Sequence, residues 1–554
     1  MTGGIMLRRS CVFVFLSFLP LQPLTLHSQP PITRCLWKYF TGPAQVQSPA
    51  VGPDGTIYIG SGRYNETLPS DGLFAVKPGG TQQWTLTLGM TVHSSVALDQ
   101  EGNLYFIAGD ANKPDSMGAA LYSLDASGNL RWKLDSIGWM APIPNTGFTP
   151  AIATDGTIYV CGRFSLFAVR RDGTVRWKHD FPLFDNIFGS GERHTAGNHR
   201  SAPTIASDGT VYVNTMRGGH EGGEQVEGGV YAFDSLGNVK WRTYDMGGTA
   251  APVIGGDGTI YSAIGGYGVV TDTSNAPRLL AIRPDGTRKW AVETQLWCEA
   301  SPSIGADGTL YIGTTHHPLD VPGWFHAISP EGQIKWTYDT APDVKNDSAS
   351  QVNPPDIYDS PVIDANGLIY FGNEAGRFYA MNPDGTVAWL DLVTSQKYGS
   401  PAIANDGTIY IPSDTKVDFD HYALIALQGG GGGLADSPWP KFRQNNANTG
   451  QAPVSAPTAV VRRTAPLHGI ELFPNYPDPF NPTTHIRFQI SDFRYLKLGV
   501  YDLLGRAVAM LVNSIEGPGT YTVEFDGSHL ASGMYLCRLS AGDFTQVRKL
   551  CLLR

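Results

Sequence analysis

Five side chains are the candidates for a binding site: His93, Arg200, Glu299, Tyr358 and Tyr398. Each stands two residues before an apolar tetrapeptide that opens a repeating unit, so recurrence of position selects them. Val46, Gly147 and Thr249 take the equivalent places in other units. An imidazole, a guanidinium, a carboxylate and two phenols at one level would make a polar, aromatic funnel mouth with both donors and acceptors. The plainer alternative is that these side chains only solvate a water-filled channel.

Other groups carry less. His194, His199, His220 and Glu221 fall in irregular segments of one unit and could approach a metal, but loop histidines at irregular spacing are more often solvated. His316-His317 beside Pro318 is weaker still. The Asp-Gly pairs lack the alternating acidic ligands of an EF-hand-like loop. The Gly-rich stretches 217–229 and 429–433 have no following helix and no Lys-Ser/Thr, so no phosphate-binding loop is implied. No Gly-x-Ser-x-Gly elbow or Cys/His nucleophile pair appears, so no catalytic residue and no metal ligand is assigned. For a polysaccharide-active enzyme, His199 and Tyr358 would be the first residues to try.

Composition narrows the classes. A chain of 554 residues implies more than one folded unit, and 16% charged residues with 65 Gly and 39 Pro suit an all-β protein. Arg8 and Arg9 before the apolar run Cys11–Leu19 read as a signal peptide, residues 1–28, too short to span a bilayer. No other stretch approaches a transmembrane segment. Removing both arginines moves the net charge from −10 to −12, which argues against a nucleic-acid partner. Cys35, Cys161, Cys298, Cys537 and Cys551 are scattered, odd in number and without Cys-x-x-Cys, so they signal neither a disulfide framework nor zinc.

The element that positions the five candidates is a repeat of about 45 residues. Thr149-Pro150-Ala151-Ile152, a turn at Asp155-Gly156, Ile158-Tyr159-Val160, Leu166–Val169, a second turn at Asp172-Gly173 and Val175-Arg176-Trp177 make four strands, A to D. Two-residue hairpins at the Asp-Gly turns are expected to join A to B and C to D. The first turn recurs eight times, from Asp54-Gly55 to Asp406-Gly407, but the strand D tryptophan follows only seven of them, from Trp84 to Trp389. The eighth unit lacks strand D, and Cys35-Leu36-Trp37-Lys38-Tyr39 supplies a match at the other end of the chain. The expectation is an all-β fold: an eight-bladed β-propeller, residues 29–428, closed by its N-terminal strand. The pattern resembles the pyrroloquinoline-quinone-type propeller repeats. Trp439-Pro440-Lys441-Phe442-Arg443 with Asn448-Thr449-Gly450 resembles a segment that often accompanies such rings. Its role stays open, with an outer strand for the eighth blade as one alternative.

Residues 429–468 are expected to be a Gly/Pro-rich segment and linker, and 469–554 a small Ig-like β-sandwich of five to seven strands. Its Pro-Phe-Asn-Pro lead-in at 479–482, Tyr501-Asp502-Leu503-Leu504-Gly505-Arg506 and closing Lys549–Arg554 resemble the C-terminal sorting domain of type IX secretion cargo and the flagellar-hook-capping Ig-type domains. Asp478 departs from that family, which usually has Asn there. The resemblance implies the type IX secretion machinery as a partner of residues 469–554, and a secreted or cell-surface location reached through the periplasm.

Short uniform A–B and C–D turns make one face of the ring plain, while every long insertion lies in a B–C or D–A connection on the other. A non-catalytic module that recognises a glycan or protein through the looped face is therefore the expected function. A quinoprotein dehydrogenase, implied by resemblance alone, is disfavoured: no two cysteines are adjacent and no calcium-ligating set can be matched, so pyrroloquinoline quinone with calcium is not expected. A periplasmic assembly scaffold is disfavoured by the sorting tag.

Overall fold

In a computed structural model of the protein, the described residues are 34–453 and 471–553, less the segments 43–46, 63–70, 110–118, 138–148, 182–200, 216–227, 265–277, 316–322, 344–354, 394–398, 413–421 and a few shorter stretches. The expected signal peptide, residues 1–28, therefore lies outside the described residues, as do Val46, Gly147, Arg200, Tyr398, His194, His199, His220, Glu221, His316 and His317.

The described chain is all-β apart from one turn of 3-10 helix at Ala341–Asp343. Each repeat forms its own antiparallel sheet in the order A-B-C-D, and eight such sheets are present among the described residues. The sixth is representative, with strands Ser303–Ile304, Leu310–Gly313, Trp324–Ile328 and Ile334–Asp339. Strands A and B are buried on both sides, whereas D alternates between exposed and half-buried residues. Near-continuous apolar runs inside and alternation at the outer rim follow from sheets packed face to face around an axis. The second sheet adds a short inner strand, Thr91–Val92, beside the end of its strand B.

The turns hold three residues rather than two. In the first repeat Gly52 N–H donates to Thr56 O at 2.8 Å and Gly55 N–H to Gly52 O at 2.9 Å, so residues 53–55 form the loop. Gly55 takes the left-handed position with φ of +83°, which an L side chain enters only with strain. Asp54 accepts from the Thr56 amide and hydroxyl at 3.0 and 2.8 Å, which explains the recurrent Asp-Gly-Thr. The Asp is thus a local brace for a longer turn, where sequence reasoning expected a two-residue hairpin.

Neighbouring sheets are clasped by the strand D tryptophans. Trp290 Nε1 donates to Pro330 O of the next repeat at 2.8 Å, and the same bond recurs from Trp84, Trp132, Trp177, Trp241 and Trp336. The ring packs so closely beneath the next C–D turn that a Cβ on Gly332 would lie 2.6 Å from it. Within each sheet the same indole meets the strand B tyrosine, as Tyr261 meets Trp290 at 5.7 Å between centroids.

The N-terminal strand Cys35–Gly42 pairs antiparallel with Tyr422–Gln428 and completes the sheet of the eighth repeat. Trp37 there packs at a tilt on Tyr410 and donates to Pro78 O of the first repeat at 2.8 Å, the contact made at six other joints. The strand is therefore not supplied by residues 437–450.

The C-terminal region builds two sheets around one core that includes Phe488, Tyr521, Cys537 and Leu550. One holds Glu471–Leu472, Thr483–Ile490 and Gly519–Asp526; the other orders Ala507–Glu516, Arg494–Tyr501, Gly533–Ala541 and Phe544–Leu552. The edge strand Ala507–Glu516 escaped sequence reading, because register shifts opposite Gly499 and Tyr501 break its alternation. The five cysteines of the described residues are free thiols.

Candidate functional site

Antiparallel order in every sheet puts the A–B and C–D turns on one face and the B–C and D–A connections on the other. The inner strand A is only two residues long and has no partner on its axial side, so its backbone groups need acceptors and donors from elsewhere. Residues 429–453, whose role the sequence leaves open, meet that need. Val51, Leu98, Ile152, Ile205, Ile304 and Ile363, each the second residue of a strand A, donate N–H to carbonyls of Asn446, Ala447, Thr449, Gly450, Trp439 and Pro440 at 2.7–2.9 Å. The segment is an axial plug on the turn side.

Two plug side chains extend this role, and a third braces the plug. Asn448 Nδ2 donates to Pro49 O and Val96 O at 3.3 and 3.0 Å. The Arg443 guanidinium spans the equivalent carbonyls of the next two repeats, Pro203 O at 2.6 Å and Pro150 O at 3.1 Å. Lys441 Nζ turns back on the plug itself, to Phe442 O, Asn445 O and Asn448 Oδ1 at 2.6–3.2 Å. Lys441 and Arg443 are both 1% exposed. Burial, and then the neighbouring guanidinium, push the Lys441 ammonium down to about 7; burial brings Arg443 down to about 9. Sequence reading noted the segment but not this chemistry. Its signal was two cations in the one apolar stretch of the ring region that does not repeat.

On the other side of the ring lie His93, Glu299 and Tyr358, at the approach to the inner strands of repeats 2, 6 and 7. His93 N–H donates to Ile107 O at 2.9 Å, extending the inner edge of its sheet. Its imidazole is half-buried and hydrogen-bonds Gly109 backbone; desolvation carries its pKa down to about 4. Tyr358 is half-buried and its hydroxyl donates to Asp356 Oδ2 at 3.4 Å, while Glu299 is half-buried beside the fully buried thiol of Cys298. Thr249, the fourth described member of the set, is buried. His93, Glu299 and Tyr358 thus stand at equivalent places in their repeats. Arg200 and Tyr398, the other two, lie outside the described residues.

A belt of serines lies at the same level. Ser301 N–H donates to Ser360 Oγ, Ser360 N–H to Ser400 Oγ and Ser400 N–H to Ser48 Oγ, at 3.1, 3.0 and 2.8 Å. The last of these joins the eighth repeat to the first. Among the described residues no group of three or more His, Cys, Asp or Glu side chains is gathered as a metal site, and no helix is long and apolar enough to cross a membrane.

Comparison with known proteins follows this anatomy. Residues 34–219 and 120–296 match the repeat family described as outer membrane protein assembly factor BamB, and residues 475–552 match the secretion system C-terminal sorting domain. None of the curated proteins matches the chain. Among solved structures, BamB from Moraxella catarrhalis is 14% identical, with 69% of this chain and 96% of that chain covered and a TM-score of 0.45. The Dos1 propeller is 10% identical over 73% and 97%, with a TM-score of 0.46, and the Neurospora crassa Pan2 WD40 domain 10% identical over 71% and 91%, with 0.36. The chain thus carries pyrroloquinoline-quinone-type propeller repeats over residues 34–296 and, over residues 475–552, a C-terminal type IX sorting domain that marks it for secretion or the cell surface.

Proposed function

We propose that this protein is an exported, non-catalytic binding module. A closed eight-bladed ring of residues 29–428 would present a glycan- or protein-binding funnel on its looped face, and an Ig-like domain of residues 469–554 would engage the type IX machinery. The carrying observation is the plug. It occupies the turn-side end of the axis, so a ligand enters the ring from the loop side, where His93, Glu299 and Tyr358 sit. The contact of Trp37 with Pro78 and the bond between Ser400 and Ser48 support closure of the ring. Two sheets around one core support the Ig-like reading of the tail. Arg200 and Tyr398 are assigned to the proposed funnel by their place in the repeat alone.

A neutral imidazole at pH 7 suits hydrogen bonding to a hydroxyl or amide more than to an anion, and the half-buried Tyr358 ring offers a face for an apolar sugar or side-chain surface. Screening the full-length protein on glycan and protein arrays, with Glu299→Gln and Tyr358→Ala alongside, tests this. Loss of the selected ligand by about tenfold or more in each variant is expected, since truncating a central contact costs on the order of 1.4 kcal/mol or more. Undiminished binding in both would sink the funnel assignment.

A further inference from the structure

The turn face holds a feature the funnel does not explain. A trough of about 770 Å³ runs beside the plug, between residues 444–453 and the A–B turns of repeats 8, 1, 2 and 3. Its floor and walls are mostly apolar, with Pro53, Pro78 and Tyr410 among them, and its acidic members include Asp54 and Asp406.

Outside the second repeat, where Arg131 turns to Tyr105 and Ser123 and Glu101 pairs with Arg171, the residue before the strand D tryptophan decides what happens to the turn carboxylate. In repeats 3 to 6 it is Arg176, Lys240, Lys289 or Lys335, and each reaches its own turn: Asp155 at 3.4 Å, Asp208 at 3.7 Å, Asp257 at 3.1 Å and Asp307 at 3.4 Å. In the seventh the cation and the turn carboxylate are lost together, to Ala388 and Asn366. In the first and eighth the cation is replaced by Gln83 and Leu36, yet Asp54 and Asp406 remain. Neither has an ion-pair partner among the described residues, and both line the trough. The one cation in the lining, Arg171, is held by Glu101. Asn446 Oδ1, also in the lining residues, is a buried acceptor with no donor, its amide nitrogen being spent on Ile403 O. The lining thus carries three aspartates, Asp54, Asp99 and Asp406, against the single, already paired Arg171, so its charge is negative.

We propose that this trough docks an extended basic segment of a partner polypeptide, with Lys or Arg side chains taking the places of the two missing strand D cations. Apolar walls would cover the aliphatic stems while Asp54 and Asp406 receive the donors. The site is independent of the looped face.

The test uses the full-length protein and labelled hexalysine, with hexaglutamate as the opposite-charge control, read by fluorescence anisotropy at low and physiological salt. Hexalysine should bind, weaken with salt and weaken about tenfold in Asp54→Asn/Asp406→Asn. Gln83→Lys, which restores the pattern of the other repeats, should weaken it likewise without loss of fold by circular dichroism. Asp257→Asn, at a turn that already has its lysine, should leave it unchanged. Equal loss in Asp257→Asn would mean attraction to net charge alone and overturn the site, as would unchanged binding in the double variant or equal binding of hexaglutamate. Array ligands lost in Glu299→Gln but kept in Asp54→Asn/Asp406→Asn separate this site from the funnel.

Discussion

The inner and outer rims of the ring solve the same problem by opposite means. At the outer rim seven of the eight joints repeat the answer: a strand D tryptophan bonds the next turn and packs under its glycine, at a spacing the sequence displays. At the inner rim no repeat can do so. Eight copies of one side chain aimed at an axis would collide, so the axial edges of the two-residue A strands are left for a segment written once. That segment, 429–453, breaks the period and supplies a different carbonyl or side chain to almost every repeat it meets. Periodic packing spreads stability over many equal parts, whereas a once-only plug concentrates it.

The sharpest way to break this contrast is to cut each rim once. Trp439 is 1% exposed and packs among Ile254, Ile304 and other residues of the fourth to sixth repeats. Trp439→Ala should cost about 3–5 kcal/mol, read as a shift of the denaturant midpoint. A cost near that of an outer-rim clasp would show that the plug is an accessory.

The rims also differ in titration. The Trp–Gly clasp has no ionisable group, but Lys441 sits at the axis with its pKa near 7 against an ordinary 10.5. Folding therefore penalises the protonated amine. The penalty is full below about pH 7 and is relieved as pH rises toward 10.5, so stability should climb by about 2 kcal/mol between pH 7 and 9. Arg443, lowered to about 9, adds to the climb only above that window. Lys441→Met should flatten the pH 7–9 rise; a rise that persists in the variant would assign it to another group.

A smaller effect sharpens the outer rim. Trp290→Ala removes one hydrogen bond and a half-buried ring, for roughly 1–2 kcal/mol. Trp37→Ala should cost the same within about 0.5 kcal/mol if the joint between chain ends is an ordinary one, as closure requires. A much smaller cost at Trp37 would mean that the ring is open there.

Legibility in the sequence tracks the same division. The sheets, the turns and the clasping N-terminal strand were readable because each rests on local chemistry repeated at a fixed interval: Asp-Gly-Thr for the turn, Trp for the joint. The third turn residue was missed, because Asp-Gly alone does not tell a two-residue loop from a three-residue one. The axial role of Arg443 and Asn448 was not readable, since each contacts residues some 240 to 400 positions away. His93, Glu299 and Tyr358 were selected only by position in the repeat, since no motif of their own marks them.

The smallest expected effect concerns the turn-face ion pairs. Lys289 and Asp257 meet at 3.1 Å with side chains 29% and 58% exposed, so water and salt screen most of the attraction. Asp257→Asn should change stability by less than about 0.5 kcal/mol, and by less still at 0.5 M salt, in thermal or chemical unfolding. The loss of such a cation at Gln83 and Leu36 then costs the fold almost nothing. A pattern kept in four repeats and dropped in two that still retain their aspartates needs another reason, and the trough between those two turns offers one. A loss well above 1 kcal/mol in Asp257→Asn would remove that reason, because Asp54 and Asp406 would then mark weak joints in the ring instead of open acceptors on its surface.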